Sequence, residues 1–190
     1  MMKYYQEITL IPSLEIPIPF LMSKVFYAIH LALASSKDEN GKSPIGVSFP
    51  TYEERALGNK IRLLSDCEEA LEHLGLNERL QKFVDYVHIT GIRKIPESRI
   101  RGYLCFTRFQ PDGSVPRKAR RYAKRHSVTY EEAEKILKTK EHACMPYIQL
   151  TSHSTNQKFS LLIQKRKMDH PLVGTFSTYG LSDTSTVPDF

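Results

Sequence analysis

The residues best placed to do chemistry lie in one short run, Arg117 to His126, RKARRYAKRH. Wound as a helix at about 100° per residue, the run sorts its side chains without conflict. Arg117, Lys118, Arg120, Arg121, Lys124 and Arg125 fall on one arc, and Ala119, Tyr122, Ala123 and His126 on the opposite one. The second set has the i, i+3, i+4, i+7 spacing that packs against a core. Six cations facing the same way repel each other unless something anionic lies along them, and the run holds no acid. A regular polyanion, a nucleic-acid backbone, meets that need. A solvated basic face is the blander alternative.

The charge map favours the polyanion. The chain carries 27 Lys and Arg against 21 Asp and Glu, a net of +6. From Arg93 to His126 there are eleven basic residues and only Glu97 and Asp112 as acids, so this stretch alone sums to +9. Positive charge is concentrated rather than spread, as on a binding surface.

Other candidates are single residues. His30 has the ordinary pKa, near ~6.5, that suits a general base at neutral pH. Its place beside Ile29, at the edge of an apolar stripe, equally fits a histidine satisfied at a helix–sheet boundary. Arg108 and Gln110 alternate on one strand face. Arg matches the O6/N7 edge of guanine and Gln the N6/N7 edge of adenine. Ser152 and Ser154 also alternate and so share a face. Phe159 and Tyr179 can be core aromatics or stacking platforms for bases. His73, His88, His142 and His170 lack metal-ligand spacing, and His126 reads as a structural residue on the packed face of the basic helix. No metal or other cofactor is expected.

These residues need elements to hold them. Residues 1–95 read as strand, helix, strand, strand, helix, strand. The strands are Lys3–Leu10, Ile45–Phe49, Asn59–Leu64 and Val84–Thr90. The first helix, Phe20–Ala34, opens on Pro19 and carries His30. The second runs to about His73 behind a capping box of Asp66 and Glu69. A βαββαβ order in this length predicts a ferredoxin-like domain. Residues 96–190 read as a C-terminal α/β half that grips nucleic acid. Strand Gly102–Phe109 leads into the basic helix. A capping box of Thr129 and Glu132 starts a helix at Tyr130. Strands Tyr147–Ser152 and Lys158–Gln164 follow as a hairpin, then a last segment from Val173 to Gly180. The fold class is therefore α+β.

Composition limits the rest. With 41% hydrophobic residues in 190, the chain can build a real core. No apolar run approaches the ~20 residues of a membrane span, and the start, MMKYYQEITLIP, lacks the apolar stretch of a signal peptide. A cytoplasmic protein with no membrane partner is expected. Cys67, Cys105 and Cys144 are isolated and odd in number, which predicts ordinary buried or half-buried thiols.

Six strings in register point to one family. They are LMSKVFYAIHLAL with His30, IGVSFP at Ile45–Pro50, LGNKIRL at Leu57–Leu63, RFQ at Arg108–Gln110 before the RRYAKRH helix, TSHSTNQKF at Thr151–Phe159, and FSTYGLS at Phe176–Ser182. In this order the chain resembles the type I-F CRISPR RNA-processing endoribonucleases. The resemblance implies metal-independent cleavage of a CRISPR repeat RNA at the base of its hairpin, leaving a 2′,3′-cyclic phosphate. It also implies that the enzyme keeps its product and joins the other protein subunits of a surveillance complex. His30 would take the proton from the attacking 2′-hydroxyl, Ser152 would hold the nucleotide bearing it, and Tyr179 would position His30. Arg108 and Gln110 would read adjacent bases near the bottom of the stem. Arg121 and Arg125, with Arg117, Arg120 and Lys124 beside them, would lie in the major groove, and Phe159 would stack beneath the terminal base pair. Ser154 belongs to the same RNA-binding set. Two rivals share the basic helix: a module that holds the hairpin without cutting it, and a ribosomal or duplex-DNA-binding protein.

Overall fold

A computed structural model describes residues 1–110, 115–141, 145–152 and 156–190, with the backbone alone for 115–118 and 137–141. It is a mixed α+β protein with two antiparallel sheets. The first sheet is built from β1 (Tyr4–Leu10), β2 (Gly46–Ser48), β3 (Lys60–Ser65) and β4 (Val87–Ile89), in the order β2-β3-β1-β4. A two-residue strand, β5 (Arg93–Lys94), also pairs with β1. Helix α1 (Ile18–Ser35) follows β1, and the short helices α2 (Glu68–Glu72) and α3 (Leu76–Arg79) follow β3.

Helix α1 starts where proline permits it, with Pro19 in its first turn. Leu21, Met22, Val25, Phe26, Ile29, Ala32 and Leu33 form its buried stripe. Each large apolar side chain so buried contributes about 1.5–3 kcal/mol relative to exposure. By length and composition alone, with a mean hydropathy of 1.4, this helix could cross a membrane, against the expectation from its sequence that no span is present. Here its apolar stripe is spent on the protein core instead. Within the first sheet, Arg62 on β3 donates to Glu7 on β1 at 2.8 and 3.0 Å, and Lys60 donates to the same carboxylate at 2.6 Å. Burial pushes the Glu7 carboxyl up, but these two cations outweigh it and hold its pKa below the ordinary value.

The second sheet has the order β7-β8-β6-β9, from β6 (Gly102–Phe109), β7 (Tyr147–Thr151), β8 (Lys158–Met168) and β9 (Val187–Asp189). The basic run forms α4 (Val115–His126), which packs on α5 (Tyr130–Glu141). The two sheets share one core. Phe49 meets Phe106 edge to face at 5.5 Å, and the Tyr52 hydroxyl donates to the Ile163 carbonyl at 3.0 Å. The connection after β8 carries Phe176, which bridges to Ser43, and Gly180, whose carbonyl accepts from Val47 N–H at 2.8 Å.

Several local expectations are corrected. The Thr129–Glu132 capping box is present, each residue's N–H bonded to the other's side chain, at 3.0 and 3.2 Å. The Asp66–Glu69 box is not: α2 begins after Cys67, whose thiol donates to Glu69 at 2.6 Å. Cys67 is consequently exposed, while Cys105 is buried as expected and Cys144 lies outside the described residues. The strand expected from Val84 shrinks to Val87–Ile89. Residues 81–83 curl into a 3-10 turn, closed by Phe83 N–H on the Leu80 carbonyl, and Val84 stays helical in backbone and exposed. Neither β5 nor β9 has a signature in the sequence. Each has three residues or fewer, too few to show alternation.

Candidate functional site

His30 is set by its helix. Its neighbours Ile29 and Leu33 are fully buried, which fixes the rotation of α1 and leaves His30 half-buried at the rim of the core. Its Nδ1 lies 2.9 Å from the Thr178 carbonyl oxygen. A carbonyl can only accept, so the neutral ring carries its proton on Nδ1 and presents a bare Nε2. Burial disfavours the imidazolium and lowers the His30 pKa below its ordinary 6.5, partly opposed by the Thr178 bond. The ring is therefore neutral at physiological pH and able to accept a proton.

The ring also lies flat on Tyr179, centroids 4.1 Å apart and planes 11° from parallel. Tyr179 in turn sits under the guanidinium of Arg108, whose Cζ is 5.9 Å from its ring centroid and 5.7 Å from that of Phe159. Arg108 is at the end of β6, and Phe159 is near the start of β8. With its amide oxygen turned toward Arg108, Gln110 accepts from Nε and Nη2 at 3.2 and 3.3 Å. Four segments remote in sequence thus bring His30, Tyr179, Arg108, Phe159 and Gln110 into one continuous chain of contacts. Arg108 and Gln110 are both exposed, so their outer edges are open to a ligand.

Ser152 is half-buried just past β7, and its N–H donates to the Gln157 carbonyl at 2.8 Å. A groove of about 1110 Å³ runs between α1 and this strand, with Tyr27, Thr151 and Lys158 in its walls. Tyr27 lies one helical turn before His30, and Thr151 directly precedes Ser152. Ser23 Oγ of α1 accepts from Gln149 N–H of β7 at 3.2 Å, so the elements that carry His30 and Ser152 are fastened to each other. Ser154 lies outside the described residues.

The basic helix has the two faces its periodicity predicts. Ala119 is fully buried and Tyr122 half-buried, while Arg120, Arg121, Lys124 and Arg125 are exposed. Among the described residues none of these four is ion-paired. The side chains of Arg117 and Lys118 lie outside the described residues. His126 departs from its expected place. It is exposed, because the helix ends there: Ser127 turns into the left-handed region at φ 52°, and Val128 N–H closes back on the Ala123 carbonyl. Its ring instead stacks on Tyr122 at 4.2 Å.

Sequence reasoning missed the Thr178 carbonyl and the turn that presents it. Its one local signal is Gly180, in the string FSTYGLS, where glycine suggests a turn. Nothing in the string names His30 as its partner.

Comparison with known proteins places these features in context. A family model described as CRISPR-associated protein (Cas_Csy4) matches residues 5–190. A protein of Escherichia coli (strain UTI89 / UPEC), named CRISPR-associated endonuclease Cas6/Csy4, is 31% identical over 192 residues. One of Pseudomonas aeruginosa (strain UCBPP-PA14), with the same name, is 32% identical over 194 residues. Both matches span the whole of each chain.

Proposed function

The chain belongs to the Cas_Csy4 family of CRISPR-associated proteins, and on that premise we propose that it is the endoribonuclease that processes CRISPR precursor RNA. The finer reading is metal-independent cleavage at the base of a repeat hairpin, with the product retained in a surveillance complex of further protein subunits. The observation that carries it is the neutral His30 ring, its Nδ1 bonded to the Thr178 carbonyl and its Nε2 bare, in a chain that also presents an exposed arginine-rich helix.

RNA brings its own nucleophile, so the protein needs to supply a base, geometry and some charge. In this reading His30 Nε2 takes the proton from a ribose 2′-hydroxyl. The 2′-oxygen attacks the adjacent phosphorus as the bond to the 5′-oxygen breaks, and that oxygen takes a proton from water, giving a 2′,3′-cyclic phosphate and a strand that begins with a free 5′-hydroxyl. Ser152 holds the nucleotide that attacks, and Tyr179 keeps the imidazole in plane. Arg108 and Gln110 read adjacent purines at the bottom of the stem. Phe159 stacks beneath the last base pair, and the face of Arg117, Arg120, Arg121, Lys124 and Arg125 follows the phosphates. A-form RNA has a deep, narrow major groove. A short hairpin with an accessible end relaxes that limit for long arginines.

The first sheet fits a ferredoxin-like reading of residues 1–95. Its support is the order β2-β3-β1-β4, with antiparallel neighbours and helices after β1 and β3.

The test is direct. Purified protein is incubated with repeat RNA in excess EDTA, and the ends of the products are analysed. Cleavage at one site with a 2′,3′-cyclic phosphate is expected. Tight binding without cutting would leave a hairpin-binding module instead. Equal competition by unrelated duplexes would point to a generic duplex binder.

A further inference from the structure

We infer that Gly180 and Val47 are positioning residues for His30: they lock a turn whose Thr178 carbonyl selects the imidazole tautomer with Nε2 free. The inference rests on the reading of His30 as the base and adds how the fold makes that nitrogen available.

The turn is closed by Gly180 N–H on the Ser177 carbonyl at 2.8 Å. Thr178 and Tyr179 are its two central residues, so the Thr178 carbonyl plays no part in closing it and is free to accept from outside. The Ser177 hydroxyl accepts from Tyr179 N–H at 3.4 Å, and Ser177 N–H donates to the Leu181 carbonyl at 2.8 Å. The turn is then clamped at both ends, to β2 and to the segment leading into it. On one side Ser43 and Phe176 exchange two backbone bonds of 2.9 Å. On the other, Val47 N–H donates to the Gly180 carbonyl at 2.8 Å.

Only glycine fits this clamp. Gly180 has φ +69°, a region that side chains disfavour. A Cβ there would overlap Val47 Cγ2 and stand 2.9 Å from Val47 Cβ and 3.1 Å from its nitrogen. Val47 cannot retreat, because it is buried in the core at 1% exposure. Any side chain at Gly180 must therefore push the turn away from β2. His30 does not follow, since its helix is held by Val25, Phe26, Ile29 and Leu33. The Thr178 carbonyl and the Tyr179 ring would leave the imidazole together.

Imidazole nitrogen shifts in a long-range proton–nitrogen spectrum of 15N-labelled protein read the tautomer directly. His30→Gln assigns the signals by their loss. Wild type is expected to carry the proton on Nδ1, and Gly180→Ala to shift His30 toward the Nε2–H form. Gly180→Ala should also slow cleavage of bound repeat RNA by about 100-fold, the scale of a misplacement near 1 Å, with hairpin affinity within about threefold of wild type. Adding Val47→Ala, which removes the overlapped methyl, should restore part of both. A wild-type His30 protonated on Nε2 overturns the inference, and that spectrum decides the tautomer even if a variant fails to fold. So does a folded Gly180→Ala protein that keeps the Nδ1–H form. Failure of the wild-type protein to cut RNA would instead overturn the endoribonuclease reading and leave the tautomer result standing.

Discussion

His30 and Tyr179 lie ring on ring, 4.1 Å between centroids and 11° from parallel, although they come from opposite ends of the chain. The stack fixes the plane of the imidazole, and the Thr178 carbonyl next to it in the chain fixes the imidazole's rotation. Two neighbouring residues of one turn thus control both orientational freedoms of the proposed base.

Replacing His30 by Ala is expected to abolish cleavage while hairpin affinity falls by less than about tenfold, or ~1.4 kcal/mol. Binding and single-turnover cutting measured on the same preparation check this. Equal losses of both would make His30 a structural residue.

Tyr179→Phe keeps the stacking face and should cut at close to the wild-type rate. Tyr179→Ala removes it and should lower kcat by about 10–100-fold with little change in KM. A Phe variant as slow as the Ala variant would show that the hydroxyl, not the stack, matters.

Arg108→Ala should cost about 1–3 kcal/mol in hairpin binding and relax discrimination at one base. Affinities for a set of single-base variants near the bottom of the stem decide it. A uniform loss across all of them would mean that Arg108 contacts phosphate.

The acid side of the cleavage profile should fall below pH 6.5, because burial lowers the His30 pKa. In its neutral form His30 is the base, so the rate stays high until pH drops through the folded-state value and then declines. The same shift has a sign for stability. Between that value and 6.5 the unfolded chain binds the proton first, so stability is lost as pH falls through this window. A pH profile of kcat/KM, which reports the free enzyme, with His30→Gln melts for the stability effect, gives both. A midpoint above 6.5 contradicts the burial argument.

Arg121→Ala with Arg125→Ala should weaken binding and flatten the dependence of log affinity on log salt by about two. The cleavage position in bound RNA should not move, because His30 lies on a different element. Titrations at several salt concentrations, with thermal melts as control, test it. An unchanged slope in a folded variant would mean that this face does not touch RNA.

Local pattern made much of this molecule legible. The strand from Gly102 to Phe109, the helix from Tyr130 and the Thr129–Glu132 box were readable because strand alternation, helix periodicity and capping act between residues a few positions apart. The same locality sorted the basic helix into a buried Ala119 and exposed Arg120, Arg121, Lys124 and Arg125. It placed His30 at the rim of a buried stripe, where periodicity alone cannot tell a base from a satisfied core histidine. The ring's partner is Thr178, on a connection with no repeat to read, and the Gly180–Val47 contact that pins that turn is equally silent in the sequence. Edge strands such as β9 escaped notice for a related reason, since three residues gain strand character only from the neighbour they pair with. The sequence determined which side chains could bind an anion or accept a proton. Tertiary packing decided which of them meet and which nitrogen of His30 is left free, because both depend on backbone groups brought together from distant segments.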